Sequence, residues 1–206
     1  LEKIAAIGYR NVQVSGTCAY EPAWLKAELD RTGLRCVLTH TDPGRIAAET
    51  DAVAAEHQAF GCTHIGIGSL PGGFDKGLAG YQTFAETYRP VGRRLAALGC
   101  RLMYHNHHME FARTGEGREI YLERFLRDFA PEELGFTLDT YWVQAAGADV
   151  LEWIDILQDR IPCVHLKDMS VNGFDQRKAV VGEGNLNFPK ILEKLQTLGK
   201  TKYMLV

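Results

Sequence analysis

Short apolar runs recur along the chain, each followed by a longer stretch with helical periodicity. The runs are NVQVSG (11–16), CVLTHT (36–41), HIGIGSL (64–70), RLMYHNH (101–107), LGFTLDT (134–140), PCVHLKD (162–168) and KYMLV (202–206). Most are rich in β-branched or aromatic residues and bounded by Gly, Pro or polar residues, as buried strands are. Helix candidates lie between them. Residues 22–33 start on Pro22 and end on Gly33, the asymmetry expected of helix ends. Residues 45–60 follow Asp42-Pro43-Gly44 and stop before Gly61, and residues 81–98 stop before Gly99. Pro90 is expected to kink or divide the latter. Segments 118–129, 149–158 and 188–198 complete the series, and Leu1 to Ala6 read as the end of a helix leading into the first run.

Strict alternation of strand and helix argues for a parallel sheet with helices as crossovers. Either an open doubly wound sheet or a (β/α)₈ barrel satisfies that rhythm, and the polar residues decide between them. Ser15, His40, Ser69, His105, His107, Asp139, His165 and Lys167 all fall at the C-terminal ends of strands, where barrel active sites are assembled from many strands at once. An open sheet concentrates its site at one switch point, usually with a Gly-rich phosphate loop, and the chain has neither GxGxxG nor GxxxxGK. The expected fold is an α/β TIM barrel forming one domain over residues 1–206. It is expected to be truncated at both ends, lacking the first strand and the residues after the last, and short of the ~250 residues usual for this fold.

Composition narrows the partners. The 206 residues are 46% hydrophobic with a net charge of −3, enough for a substantial core and contrary to the clustered Lys and Arg that nucleic-acid binding needs. No apolar run approaches the ~20 residues that span a bilayer, and the first residues show no secretory pattern. Cys18, Cys36, Cys62, Cys100 and Cys163 are odd in number and well separated, so they read as small buried hydrophobes in a reducing compartment. The expectation is a cytoplasmic protein acting on a small molecule, with no nucleic-acid or membrane partner; assembly into homo-oligomers stays open.

Asp139 ends an otherwise apolar and aromatic run. A carboxylate there is costly to bury unless paired or bound to a cation; the alternative is an N-cap, against which the next expected helix begins near Ala148. His165 occupies the corresponding place on the next strand. A His beside a carboxylate starts a divalent-metal site, although a lone His at a strand end is more often a satisfied core or surface residue. Lys167, two residues on, points the same way and either binds substrate or neutralises Asp139. In YHNHHMEF (104–111), His105 and His107 share one strand face while Asn106 and His108 share the other. Glu110 is a candidate acid or base if burial raises its pKa. VGEGNLNF (181–188) reads as a tight loop in which Asn185 or Asn187 caps a helix, with Glu183 a weaker candidate for the site.

Together, YHNHHMEF, LDTYWVQAAG, VHLKD and VGEGNLNF resemble the sugar phosphate isomerase/epimerase family of xylose isomerase-like barrels, also described as the AP endonuclease family 2 superfamily. With GYRNVQVSG the match covers essentially the whole chain. The resemblance implies a sugar substrate and a divalent ion, commonly manganese, with magnesium, cobalt or zinc as alternatives. The usual ligands are Glu, Asp, His and Glu. Asp139 matches the Asp and His165 the His, while the second Glu would follow Val206. The chain departs at the first Glu, where His105 stands, with His107 two residues later.

That departure unsettles two-carboxylate epimerisation, and the HNH-bearing branch is similar to proteins acting on inosose, keto-sugars or 3-keto-glycosides, dehydratases and lyases among them. The AP endonucleases fit poorly: they carry a His three residues after the Asp, where this chain has Trp142. Trp142 reads as a wall for a sugar ring, with His40 and Ser69 as further substrate contacts. His105, Asp139 and His165 are the expected metal ligands, and His107, Glu110 and Lys167 the expected catalytic groups. The expected activity is metal-dependent isomerisation or epimerisation by proton abstraction beside a carbonyl. A dehydratase or lyase, and a non-catalytic sugar-binding barrel, are the alternatives.

Overall fold

The computed structural model describes residues 1–206. In chain order the elements are α1 (Glu2–Ile7), β1 (Asn11–Val14), α2 (Pro22–Thr32), β2 (Arg35–His40), α3 (Pro43–Ala48), α4 (Thr50–Ala59), β3 (His64–Ile67), α5 (Gly77–Ala97) and β4 (Arg101–His105). They continue with α6 (Tyr121–Asp128), β5 (Gly135–Asp139), α7 (Thr140–Ala145), α8 (Val150–Leu157), β6 (Cys163–His165), β7 (Asp168–Asn172), β8 (Asp175–Ala179), α9 (Phe188–Leu198) and β9 (Tyr203–Leu205). Seven strands pair in the order β1-β2-β3-β4-β5-β6-β9, every neighbour parallel. The result is a nearly closed TIM barrel, short of a full one by the strand that would fill the seam between β1 and β9.

Strand alternation sorts the side chains into two layers. Ile65, Ile67, Leu102, Tyr104, Phe136, Leu138 and Val164 face the helices and join the main apolar core with Phe84, Phe125 and Trp153. Leu38, Met103 and Cys163 face inward and pack against Tyr203 and Leu205. One step further along the same strands come His40, His105, Asp139 and His165. The register Asp139↔His165 and His105↔Thr137 sets these polar groups side by side above an apolar floor. Layered filling of this kind makes a TIM barrel a packed core with its site at the strand ends. Glycine makes room where the histidines crowd: a Cβ on Gly66 would lie 2.3 Å from Thr39 O and 3.0 Å from the His40 ring.

Several sequence expectations need correction. The helix expected over 45–60 is two, broken at Glu49, with Asp42 capping the first through Arg45 N at 2.7 Å. Pro90 does not divide α5; it lies on the exposed side of the helix, where the carbonyl it leaves without a donor meets water. The run expected to 168 ends at His165, and residues 168–179 form an antiparallel hairpin that interrupts the strand–helix alternation. The hairpin's signal is in the sequence: Asn172 pairs with Asp175, leaving Gly173-Phe174 as a two-residue loop with Gly at its first position, where a positive φ is required, and Gly173 takes φ 62°. Asn187, not Asn185, caps α9 through Lys190 N at 3.2 Å. Cys18 is exposed and the other four cysteines are buried and free.

One close approach tests this packing. Gly92 in α5 lies so near the loop before β5 that a Cβ would sit 2.0 Å from Glu133 O. Gly92→Ala is expected to destabilise the barrel by about 1–3 kcal/mol, the range for overpacking, read as a lower urea midpoint at unchanged m-value.

Candidate metal and sugar site

Asp139 is fully buried at the end of β5, and its two oxygens have different tasks. Oδ1 accepts from Trp142 N at 3.2 Å and so caps α7, a helix that begins at Thr140, well before the start expected near Ala148. Capping and service in a polar site, posed as alternatives by the sequence, are therefore both present. The backbone N–H of Asp139 donates to Asn106 Oδ1 at 2.9 Å, which ties β5 to the exit of β4.

Oδ2 faces three groups: His105 Nε2 at 3.2 Å, Lys167 Nζ at 3.1 Å and His165 Nδ1 at 3.8 Å. The outer nitrogens of both rings are already engaged. His105 Nδ1 donates to Gly68 O at 3.2 Å, and His165 Nε2 donates to Gln13 Oε1 at 2.6 Å. A neutral imidazole has one N–H, so each ring, when neutral, turns a lone pair toward the carboxylate oxygen. Lone pairs converging on an anion repel unless a proton or a cation lies among them. The three donor atoms lie within 4.8 Å of one another. Imidazoles that donate their second nitrogen to an oxygen acceptor are the usual outer arrangement of a metal site, so these residues fit a divalent ion. Burial would raise the Asp139 carboxyl, but when protons fill the gaps, hydrogen bonds from His105 and His165, with the charge of Lys167, outweigh that and hold it well below the usual carboxylate range.

Around this cluster the structure sorts the remaining expected residues. The His40 ring lies 5.3 Å from His105 and 6.1 Å from His165. Its Nε2 is buried without a partner, and burial and the neighbouring histidines lower its pKa to about 3. The His107 ring lies 4.7 Å from His105 and 5.1 Å from Trp142; its Nδ1 lacks a partner, and burial, then His105, lowers its pKa to about 4. Trp142 stacks on His108, lies 5.3 Å from Lys167 Nζ, and has a buried Nε1–H with no acceptor. Thr140 Oγ1 donates to Lys167 O at 2.8 Å and accepts from Lys167 N at 2.9 Å, fixing the backbone that presents the lysine.

Two expected residues are placed elsewhere. Ser69 is exposed beyond β3, on neither of the cavities beside the cluster. Gly66 and Gly68 take the inward positions there, and alternation turns Ser69 away. Glu110 is buried behind β4, where Tyr104 Oη donates to Oε1 at 2.7 Å and His107 N donates to Oε2 at 2.7 Å. Burial raises its pKa against those bonds. With both oxygens engaged, it holds the His107 backbone. Glu183 is exposed on its loop.

Asp168 was not singled out from the sequence, yet it is fully buried and accepts four backbone N–H groups. These are Met169 at 2.7 Å, Gly182 at 2.9 Å, Gly184 at 3.0 Å and Leu186 at 3.2 Å. A Cβ on Gly184 would lie 2.4 Å from Asp168 Oδ1, so the glycines of VGEG are what let the loop wrap this carboxylate. The signal was the pairing of KD with VGEG, two motifs that look unrelated along the chain. Asp168→Asn would set an NH₂ group against N–H donors. It is expected to cost about 2 kcal/mol locally, read as faster amide exchange over 180–186 with protection in β3–β5 unchanged.

The sequence profile of the xylose isomerase-like TIM barrel family matches residues 1–206. An inosose dehydratase of Lacticaseibacillus casei is 23% identical over 244 residues, spanning 100% of this chain and 80% of that protein. Among solved structures, a sugar phosphate isomerase/epimerase of Parabacteroides distasonis superposes with a TM-score of 0.81 at 20% identity, covering 99% of this chain and 81% of that one. A probable 3-DHS dehydratase of Bacillus anthracis does so with a TM-score of 0.73 at 16% identity, covering 98% and 84%. These structural likenesses speak to the fold, while the profile match and the arrangement of the strands speak to descent. The chain belongs to the xylose isomerase-like TIM barrel family, whose members include isomerases, epimerases and dehydratases.

Proposed function

We propose that the chain is a divalent-metal-dependent enzyme that removes the proton next to the carbonyl of a keto-sugar or inosose. One observation carries this reading: one ring nitrogen each of His105 and His165 converges on a buried Asp139 oxygen while the other nitrogen of each ring meets an oxygen acceptor. A pure sugar-binding barrel has no use for that arrangement. His105, Asp139 and His165 would hold the ion, with manganese the first candidate and cobalt, zinc or magnesium the alternatives. When bound, the ion supplies Lewis-acid polarisation of the carbonyl and its neighbouring hydroxyl.

The remaining steps belong to the chain's own side chains. His107 is a neutral imidazole with an unengaged Nδ1 beside the cluster, and it takes the proton. Lys167, held by its bond to Asp139 and lying beside the Trp142 ring, stabilises the negative charge that develops on oxygen. Trp142 offers its unpartnered N–H to a substrate hydroxyl, and His40 bounds the other side. Return of the proton to the neighbouring carbon or the opposite face gives an isomer or epimer. Dehydration is the second reading. It is favoured by the similarity to an inosose dehydratase and by His105, an imidazole at the strand end where two-carboxylate epimerisation would use a Glu. In that case the imidazolium of His107 hands its proton to a departing β-hydroxyl.

Three outcomes test the reading. Purified protein freed of metal is expected to take up one Mn²⁺ per chain by calorimetry. Asp139→Asn should weaken that uptake by more than the roughly 10–100-fold that loss of an outer partner costs, and Gln13→Leu should fall within that range. Undiminished uptake by Asp139→Asn sinks the assignment. In deuterated water the loaded enzyme is expected to exchange the α-proton of inososes or ketoses, and His107→Gln should slow exchange by roughly 10²–10⁴ with metal uptake intact. Product mass separates the outcomes, unchanged for an isomer and lower by one water for a dehydration.

A further inference from the structure

Beside the histidine cluster, a second cavity of 370 Å³ opens at the C-terminal ends of β1 and β2. Its wall includes Ser15, His40, Thr41, Asp42, Arg45 and Glu56. It adjoins the site just described, because the His40 ring packs on His105 and His165. Ser15 also borders Asp139, His165 and Lys167 on its other side. A substrate bound at the cluster can therefore extend past His40 into this space.

The hydrogen bonds behind the wall fix what it offers. His57 Nδ1 donates to Val53 O at 2.7 Å, and burial lowers the pKa of this ring, so it is neutral and Nε2 is an acceptor. Thr39 Oγ1, 2.9 Å away, donates to that nitrogen, and Thr41 Oγ1 donates to Thr39 Oγ1 at 3.0 Å. Thr41 has then spent its proton inside the protein and has only lone pairs left for the cavity. Asp42 and Glu56 add two carboxylates. Arg45, the only Lys or Arg on this wall, is bonded to both Glu49 and Glu56. The space is rich in acceptors, net negative and without a free cation. It suits hydroxyl donors and disfavours a phosphate, which requires Arg, Lys or a helix N-terminus to hold it: of the two helices that begin at this wall, α3 is already capped by Asp42 and α2 starts on Pro22, which has no N–H to offer.

We propose that this cavity takes an uncharged, polyhydroxylated substituent of the substrate, so that the chain acts on a neutral keto-sugar bearing a second ring or hydroxylated arm and discriminates against sugar phosphates. The inference rests on the reading of the histidine cluster as a keto-sugar site and deepens it.

Three matched probes test it with the Mn²⁺-loaded protein: fructose, fructose 6-phosphate and 6-O-glucosyl fructose, each followed by calorimetric binding and by exchange of the protons beside the ketone. The glucosyl ketose should bind roughly tenfold tighter than fructose, the weight of one or two added hydrogen bonds, and the phosphate more weakly than either. Thr41→Val should remove roughly two- to tenfold from the glucosyl ketose and leave fructose unchanged. Asp42→Asn, which keeps the oxygen that caps α3, should narrow the gap between fructose and its phosphate; thermal melts confirm that both variants fold. Equal or tighter binding of the phosphate, or equal losses for fructose and its glucoside in Thr41→Val, overturns the proposal. If fructose binds and exchanges but the glucosyl group adds nothing, only this inference falls. If none of the three binds or exchanges, the keto-sugar reading falls with it.

Discussion

Asp139 places a negative charge where water cannot reach it, and much of the barrel's upper end is arranged in answer. An isolated carboxylate in such surroundings is strongly disfavoured, so the groups around it are matched to it one by one. The N–H groups of α7 take one oxygen, while an ammonium and two imidazoles from β4, β6 and the β6 exit gather at the other. None of these groups is local to Asp139 except the helix cap. They arrive because parallel strands hold their register, and a slip of one residue in β4 or β6 would turn the histidines out among the helices.

The same dependence explains why the outer partners matter as much as the cluster. Gln13 and Gly68 O do not face Asp139, yet they decide which nitrogen of each ring carries the proton. Asn106 and Thr140 fix the backbone of Asp139 and Lys167. Glu110 holds the His107 backbone from behind the strand. The site is thereby supported by side chains on both faces of the sheet, with Glu110 of the outer face buried against Tyr104.

Much of the fold was legible in the sequence because each buried strand is a short apolar run with its polar residue last. His105, Asp139 and His165 were legible only in combination: each has an ordinary use alone at the end of such a run, and it was their matching places on neighbouring strands, with the family resemblance, that singled them out. What escaped is set by tertiary contact. Ser69 looked equivalent to His40, and only the inward glycines of β3 show that it faces away. The cap on α7 was hidden because TYWVQA reads as a continuation of the apolar run. Asp168 was hidden because its four donors lie up to 18 residues away in a segment with no apolar pattern. Hydrophobic periodicity reports which face of an element is covered; it carries no record of which backbone amides will meet a carboxylate.

The bond between Gln13 and His165 joins residues 152 positions apart across the open side of the barrel. Contacts of that sequence separation form late, after shorter loops have closed. During synthesis the strand that orients His165 emerges early and waits for most of the chain to follow. Until the two strands meet, the His165 ring is free to turn either nitrogen toward Asp139, so the order of the polar cluster reports on the completion of the sheet around it.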